Sequence, residues 1–424
     1  MLKFSLWLKI AALCLALVLA GCGGAGSSSL PPAGGIVVTP GNGQVTITWQ
    51  ATAGVDYWLM YAPTASAIDI KNPPANHFWV QSISSPYVLT GLTNGTTYSF
   101  AMNGRTSGGA GGAQTASVSA TPRYAGSTWI AGNGAAGALR GISYGTSAAD
   151  SLTYFVAVGD GGAVYKAADS VSKSVSGYSW SPVTSGPAVN FKAAAYAYGR
   201  FVAVGNTGGA SNITSTADLA NWAPATLATG SVSAGLNAVA SNGTTLVAVG
   251  NSGTILYSSD ALTWTAATST GTLLQLNAVA YSSSNATWVA VGVGGVLVTS
   301  TDGGVTWATP STYTAGGTDL NGVAVTSGNV FVTVGAGGVV LTSNNGSAWS
   351  QQTPGPTTTL NAVSTDSVQF VAVGTGGKAF TSPDGVTWTP ASNTSTMAEL
   401  FGVVGSVSKY VAVGQSGSTI SSLN

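Results

Sequence analysis

Apolar and polar positions recur along most of this chain in one phrase, stated seven times: Val156-Ala-Val-Gly159, Val202-Ala-Val-Gly205, Val247-Ala-Val-Gly250, Val289-Ala-Val-Gly292, Val332-Thr-Val-Gly335, Val371-Ala-Val-Gly374 and Val411-Ala-Val-Gly414. The closing glycines are 46, 45, 42, 43, 39 and 40 residues apart. Self-similarity at this period belongs to solenoids, arrays and propellers. Each copy is an apolar, β-branched run closed by Gly, the pattern of a buried strand entering a tight turn. Around the phrase lies a four-part unit. Its first part is Leu-Asn-Ala-Val-Ala, clear at Leu236, Leu276, Leu320 and Leu360 and weaker at Leu139, Phe191 and Leu400. The phrase itself is second. An apolar run such as Gly253-Thr-Ile-Leu-Tyr-Ser258 is third, and the fourth begins at a Trp. Four strands in each of seven units predict an all-β, seven-bladed propeller over 126–424. The unit-closing tryptophans are Trp129, Trp180, Trp222, Trp264, Trp307, Trp349 and Trp388. The first precedes the first phrase, and the last unit stops after its third strand. The segment at Trp129 is therefore expected to close the last blade from the N-terminal side, removing an open sheet edge.

Five of the seven closing tryptophans follow a turn built on an acid or amide: Asp218, Asp260, Asp302, Asn345 and Asp384. Asp suits such a turn because its side chain accepts from nearby backbone N–H groups, and Gly because it takes positive φ. The pattern Ser382-Pro-Asp384-Gly-Val-Thr-Trp388 resembles the Asp-box, or BNR repeat, in which the acid is a folding device rather than a catalyst. The whole stretch 126–424 resembles the photosystem II assembly/stability-factor-like repeat group. The arginine-rich patch of its photosynthetic members has no counterpart, since Arg140 and Arg200 are the only arginines there.

Residues 36–122 read as a separate β-sandwich. Gln44-Val-Thr-Ile-Thr-Trp49 alternates as a half-buried strand, and Tyr57-Trp-Leu-Met-Tyr61, Tyr87-Val-Leu and Tyr98-Ser-Phe100 follow. With Trp49 as a core Trp, and Leu92 and Tyr98 flanking Asn94-Gly95, this module resembles a fibronectin type III domain, which implies a spacer. Trp58, His77, Phe78 and Trp79 form a candidate aromatic patch.

Residues 1–21 carry Lys3, Lys9 and an apolar run too short to span a bilayer, as in an export signal. Leu19-Ala20-Gly21-Cys22 resembles the bacterial lipobox, which implies lipidation of Cys22 and a lipid-anchored place in the cell envelope. Gly23 in place of Asp points to the outer membrane. Residues 22–35, rich in Gly, Ser and Pro, read as a flexible tether. Without Lys3 and Lys9, ten basic residues face twelve acidic ones. That balance, with no basic run, argues against nucleic acid. Cys14 leaves with the signal, so no thiol chemistry remains.

Little else in the chain carries chemistry. Two arginines and one Glu fall short of a sialidase site, and no cofactor or metal is expected. A glycoside hydrolase needs two carboxylates roughly 5–9.5 Å apart. Asp319 and Glu399 occupy matching positions before Leu320 and Leu400 but lie two units apart. The variable Ser/Thr-rich loops, such as Thr309 to Asp319 and Thr389 to Glu399, are the expected recognition surface, and beside them lies a ring of residues one place into each first strand: Arg140, Lys192, Asn237, Asn277, Asn321, Asn361 and Phe401. These are expected near one rim of the propeller channel, contacting a protein or glycan partner in the envelope. In the alternative reading, the four asparagines only cap backbone. The expected function is a non-catalytic envelope lipoprotein, with an assembly factor or a polysaccharide-active enzyme as alternatives.

Overall fold

The computed structural model describes residues 28–106, 109–169, 177–183, 188–207, 210–228, 234–311, 313, 316–352, 356–406 and 409–423. Residues 1–27, Cys22 among them, lie outside this set, as do residues 170–176 of an insertion that the sequence places at 166–178, between the third strand of the first repeat and Trp180. The chain divides into two units, Met1–Tyr124 and Ala125–Asn424.

The first unit is a pair of antiparallel sheets. One joins Ala33–Gly41, Gln44–Gln50 and Tyr87–Thr90, and the other centres on Val55–Ala62, Phe78–Ile83 and Tyr98–Thr106. Alternation along Gln44–Gln50 sends Val45, Ile47 and Trp49 inward against Tyr57, Leu59, Phe100 and Met102. The Tyr98 hydroxyl accepts from the Thr93 backbone N–H at 3.2 Å, tying a corner of the chain to the second sheet. Within the expected tether, Ser28–Ser29 pair with Arg105 and Gly104, and Ala33 pairs with Gln50. The four aromatic-patch residues divide: Trp58 and Trp79 meet edge-on with centroids 6.3 Å apart, while Phe78 stacks on Tyr61 at 5.1 Å. Arg105 covers Trp58 at 3.4 Å from the ring centroid. The His77 ring bonds to the Pro74 carbonyl.

The second unit is a succession of small antiparallel sheets. The first contains Leu139–Thr146, Thr153–Gly159, Val164–Ala168 and Ser181–Pro182. The pattern repeats from Asn190, Leu236, Leu276, Leu320, Leu360 and Leu400. The third strand of the first repeat holds Lys166 and Ala167, so its insertion begins only at Asp169. The final sheet orders Leu400–Ser406, Lys409–Gly414, Thr419–Leu423 and then Ile130–Ala131, with Ile420 opposite Ala131.

Packing explains the repeated phrase. Strand alternation puts its two valines on one face and the Ala between them on the other. Val247 and Val249 meet Leu276, Trp288 and Trp307 of the following sheet, while Ala248 shares a cluster with Val202, Val204 and Trp264 on the preceding side. The same division recurs at each junction among the described residues. At the last one, Val411 and Val413 pack on Leu139, Phe155 and Trp180 of the first sheet.

Candidate functional site

The candidate ring residues have a shared backbone cause. Leu139 pairs with Gly159 and Gly141 with Val158, leaving Arg140 without a strand partner. The same bulge frees Lys192, Asn237, Asn277, Asn321, Asn361 and Phe401. A bulge adds one residue against its partner strand and re-aims its side chain. Here all seven side chains line a single cavity of about 210 Å³. Small residues beside them let the first strands converge. A Cβ on Gly141, for instance, would meet the Ala193 Cα at 2.6 Å.

The glycine closing each phrase sits opposite the bulge. Its φ runs between −164° and −169° in six repeats, which is extended backbone open to any residue. The glycine is needed for contact instead. A Cβ on Gly292 would lie 1.9 Å from the Gln275 carbonyl oxygen, and each other copy shows a similar clash. The positive φ falls two residues later, at Gly161, Ser252, Gly294, Gly337, Gly376 and Ser416.

The ring splits into two arcs. From Asn237 to Asn361, each amide nitrogen donates to the leading Leu carbonyl of the next sheet: Leu276, Leu320, Leu360 and Leu400, all at 2.9 Å. These asparagines therefore clamp neighbouring sheets through strand carbonyls. The other arc has a different chemistry. The Arg140 guanidinium stacks 4.2 Å from the Phe401 ring centroid and pairs with Asp160 at 2.7 Å. Hydrogen bonding from Arg140 holds the Asp160 carboxyl below the usual carboxylate range, and the Lys192 charge adds to it. Among the described residues no hydrogen bond or ion pair engages the Lys192 ammonium. This arc therefore retains one uncompensated positive charge.

Asp319 and Glu399 do different work. Asp319 accepts from the Gly294 N–H at 2.8 Å, as Asn190 and Thr359 do from Gly161 and Gly337 in other repeats. Glu399 accepts from the Asn361 amide at 3.0 Å. An amide and a hydroxyl fill the Asp319 role equally well, so that role needs no charge.

The turn acids behave alike. Asp218 accepts from the Ala220 and Asn221 N–H groups, Asp260 from Leu262 and Thr263, and Asp384 from Val386 and Thr387. Asn345 makes the same pair of bonds to Ser347 and Ala348 with a neutral side chain. Burial raises the Asp302 carboxyl, but bonds from Thr306, Ser300 and Val305 outweigh it and bring the pKa to about 2. Asp302→Asn is therefore expected to cost under ~1 kcal/mol and Asp302→Ala about 1–2 kcal/mol, the range for lost local caps. A folded pKa below the unfolded value stabilises above about pH 4, and that share is lost as pH falls towards 2. Acid melts should show this share missing in Asp302→Asn.

Two acids carry more structure than the repeat reveals. Asp160 directly follows the first phrase, and its link to Arg140 appears only once the bulge is formed. Asp169 begins the insertion and accepts from Lys409 at 2.6 Å, Tyr144 at 2.6 Å and Tyr178 at 3.0 Å. Burial and the Asp169 bond push the Tyr144 hydroxyl up to about 12. Lys409 and Asp169 join the seventh repeat to the first, and no local pattern announces a partner 240 residues away.

No protein-family model and no curated protein sequence matches the chain. Solved structures do. "YCF48 bound to D1 peptide" aligns with a TM-score of 0.53 at 16% identity, covering 70% of this chain and 97% of the other. "YCF48 from Cyanidioschyzon merolae" aligns at 0.53 and 14%, covering 70% and 98%. The chain contains a β-propeller. At these identities the likeness concerns the fold alone. The second unit is long enough to supply the whole aligned share.

Proposed function

We propose that the second unit is a closed seven-bladed propeller that binds a protein segment at its rim and catalyses nothing, as an assembly or stability factor would. The observation carrying this reading is the convergence of seven bulge side chains on one mouth, where Phe401, Arg140 and Lys192 interrupt an otherwise uniform amide clamp. A cavity of about 210 Å³ admits one or two side chains, so the rest of the segment lies across the surrounding loops. The uncompensated Lys192 charge selects an acidic side chain or chain end. One of the structural neighbours is described as bound to a peptide, which supports a protein ligand. The acid candidates Asp319 and Glu399 serve turns and clamps, which favours binding over hydrolysis.

In this reading the first unit is a fibronectin type III-like spacer, and lipidated Cys22 anchors the chain at the outer membrane of a bacterial envelope. Cys22→Ser is then expected to move the protein from the membrane fraction to the soluble fraction, and unchanged fractionation would remove the anchor.

The rim is tested with a displayed library of linear peptides selected on the purified chain. Selected peptides should be enriched in Asp and Glu. Lys192→Glu should weaken them more than tenfold, about 1.4 kcal/mol, with an unchanged melting temperature. Equal binding by Lys192→Glu would place the ligand elsewhere.

A further inference from the structure

A second concavity in the propeller unit differs from the rim in size and in chemistry. It is a groove of about 880 Å³ between the turns Val293–Gly295 and Ala336–Gly338, within the range of roughly 300–1,000 Å³ typical of small-ligand sites. Trp349 forms its aromatic wall. Four other closing tryptophans, Trp129, Trp180, Trp264 and Trp307, are at most 4% exposed. Each of those is flanked by a parallel segment of the chain: Asn393 beside Thr128, Asn133 beside Ser179, Thr226–Leu227 beside Thr263 and Trp264, and Ser269 beside Thr306. No such bridge flanks Trp222, Trp349 or Trp388 among the described residues, and all three are half-buried; of these, Trp349 is the one that lines this groove.

The half-buried ring is held firmly. Its Nε1–H donates to the Gly346 carbonyl at 2.9 Å, and Phe331 meets it edge-on with centroids 6.0 Å apart. Tyr313, across the groove, is fixed by a 2.6 Å bond from its hydroxyl to the Gly295 carbonyl. Gln351, Gln352 and Thr357 bring amide and hydroxyl groups to the same space. None of the described lining residues carries a charge.

We propose that this groove binds an uncharged saccharide. A sugar ring offers a C–H face that packs on a rigid aromatic and a belt of hydroxyls that amides and hydroxyls can satisfy. An ionic ligand would lose its hydration here without gaining a counter-charge. The site is separate from the rim, and the two bind chemically unlike ligands.

The full chain is titrated calorimetrically with uncharged hexamers of glucose, N-acetylglucosamine, mannose and xylose, and with a galacturonic acid hexamer as the charged probe. At least one uncharged hexamer should bind, and the charged one should bind at least tenfold more weakly. Thr357→Arg, a change at an exposed position that fills the groove, should lower affinity at least tenfold with an unchanged melting temperature. Trp349→Phe should weaken binding while keeping an apolar ring against Phe331. Lys192→Glu should leave it unaltered, separating this site from the rim. Absence of binding by all four uncharged hexamers at millimolar concentration would overturn the proposal. So would preferred binding of the charged hexamer, or saccharide binding that Thr357→Arg leaves intact.

Discussion

Trp129→Ala is expected to lower the stability of the second unit by about 3–5 kcal/mol, the range for truncating a fully buried Trp. The residue is 2% exposed and packs with Val371, Tyr410 and Ile420, which belong to the last two repeats. It also anchors the segment that completes the final sheet. Gln369 donates to the Ala125 carbonyl at 2.7 Å, and the Ser395 hydroxyl to that of Trp129 at 2.7 Å. The turn ahead of Trp129 repeats two bonds of the Asp-box turns, with the partners drawn from distant parts of the chain. Ser422 accepts from the Gly126 N–H at 2.6 Å, as Ser343 and Ser382 accept from Gly346 and Gly385. The Trp129 indole then donates to the Gly126 carbonyl at 2.7 Å, repeating the bond of Trp349 to Gly346. Urea unfolding followed by near-ultraviolet circular dichroism measures the loss. Leu262→Ala, at a position 42% exposed, is the control. A loss for Trp129→Ala no larger than that control would mean that the segment is not integral to the unit.

Much of this architecture is legible in the sequence because it is repeated. Seven copies of one phrase expose the second strand, seven tryptophans the unit ends, and the turn acids their own local bonds, all within a few residues of each other. Features that depend on convergence are not legible. Asn237 and Asn361 look like consensus residues until the carbonyls of Leu276 and Leu400 arrive from the next sheet. Arg140, Asp160 and Phe401 form a stack only because two sheets meet there, 261 residues apart at Arg140 and Phe401. Asp169 was hidden by lying in the one insertion that the repeat does not template. The strand pairing of Ala33 is hidden for a related reason. Gly and Ser composition describes what a segment tolerates, and cannot show that Ala33 has Gln50 as a strand partner.

The closing glycines provide the sharpest separation of two explanations that composition merges. Gly292 and Gly294 lie two residues apart in one turn. Gly292 has φ −169°, so an Ala there is conformationally free, yet its Cβ would fall 1.9 Å from the Gln275 backbone oxygen. That oxygen belongs to the residue leading into the bulge strand and has no flexible side chain to move aside. Gly292→Ala is expected to cost about 3 kcal/mol or more by overpacking. It should also disturb the bulge that presents Asn277 to the cavity. Gly294 has φ +65° and open space, with only the Leu274 Cδ1 within 4 Å of a Cβ, at 3.9 Å. Gly294→Ala should cost about 1 kcal/mol, the ordinary penalty of a left-handed residue. Ser252 and Ser416 already occupy the equivalent place at φ 54° and 56°. Parallel denaturation of the two variants decides the matter. Equal losses would mean that the phrase ends in Gly for its turn, whereas a large excess for Gly292→Ala assigns that Gly to the approach of two strands around the bulge.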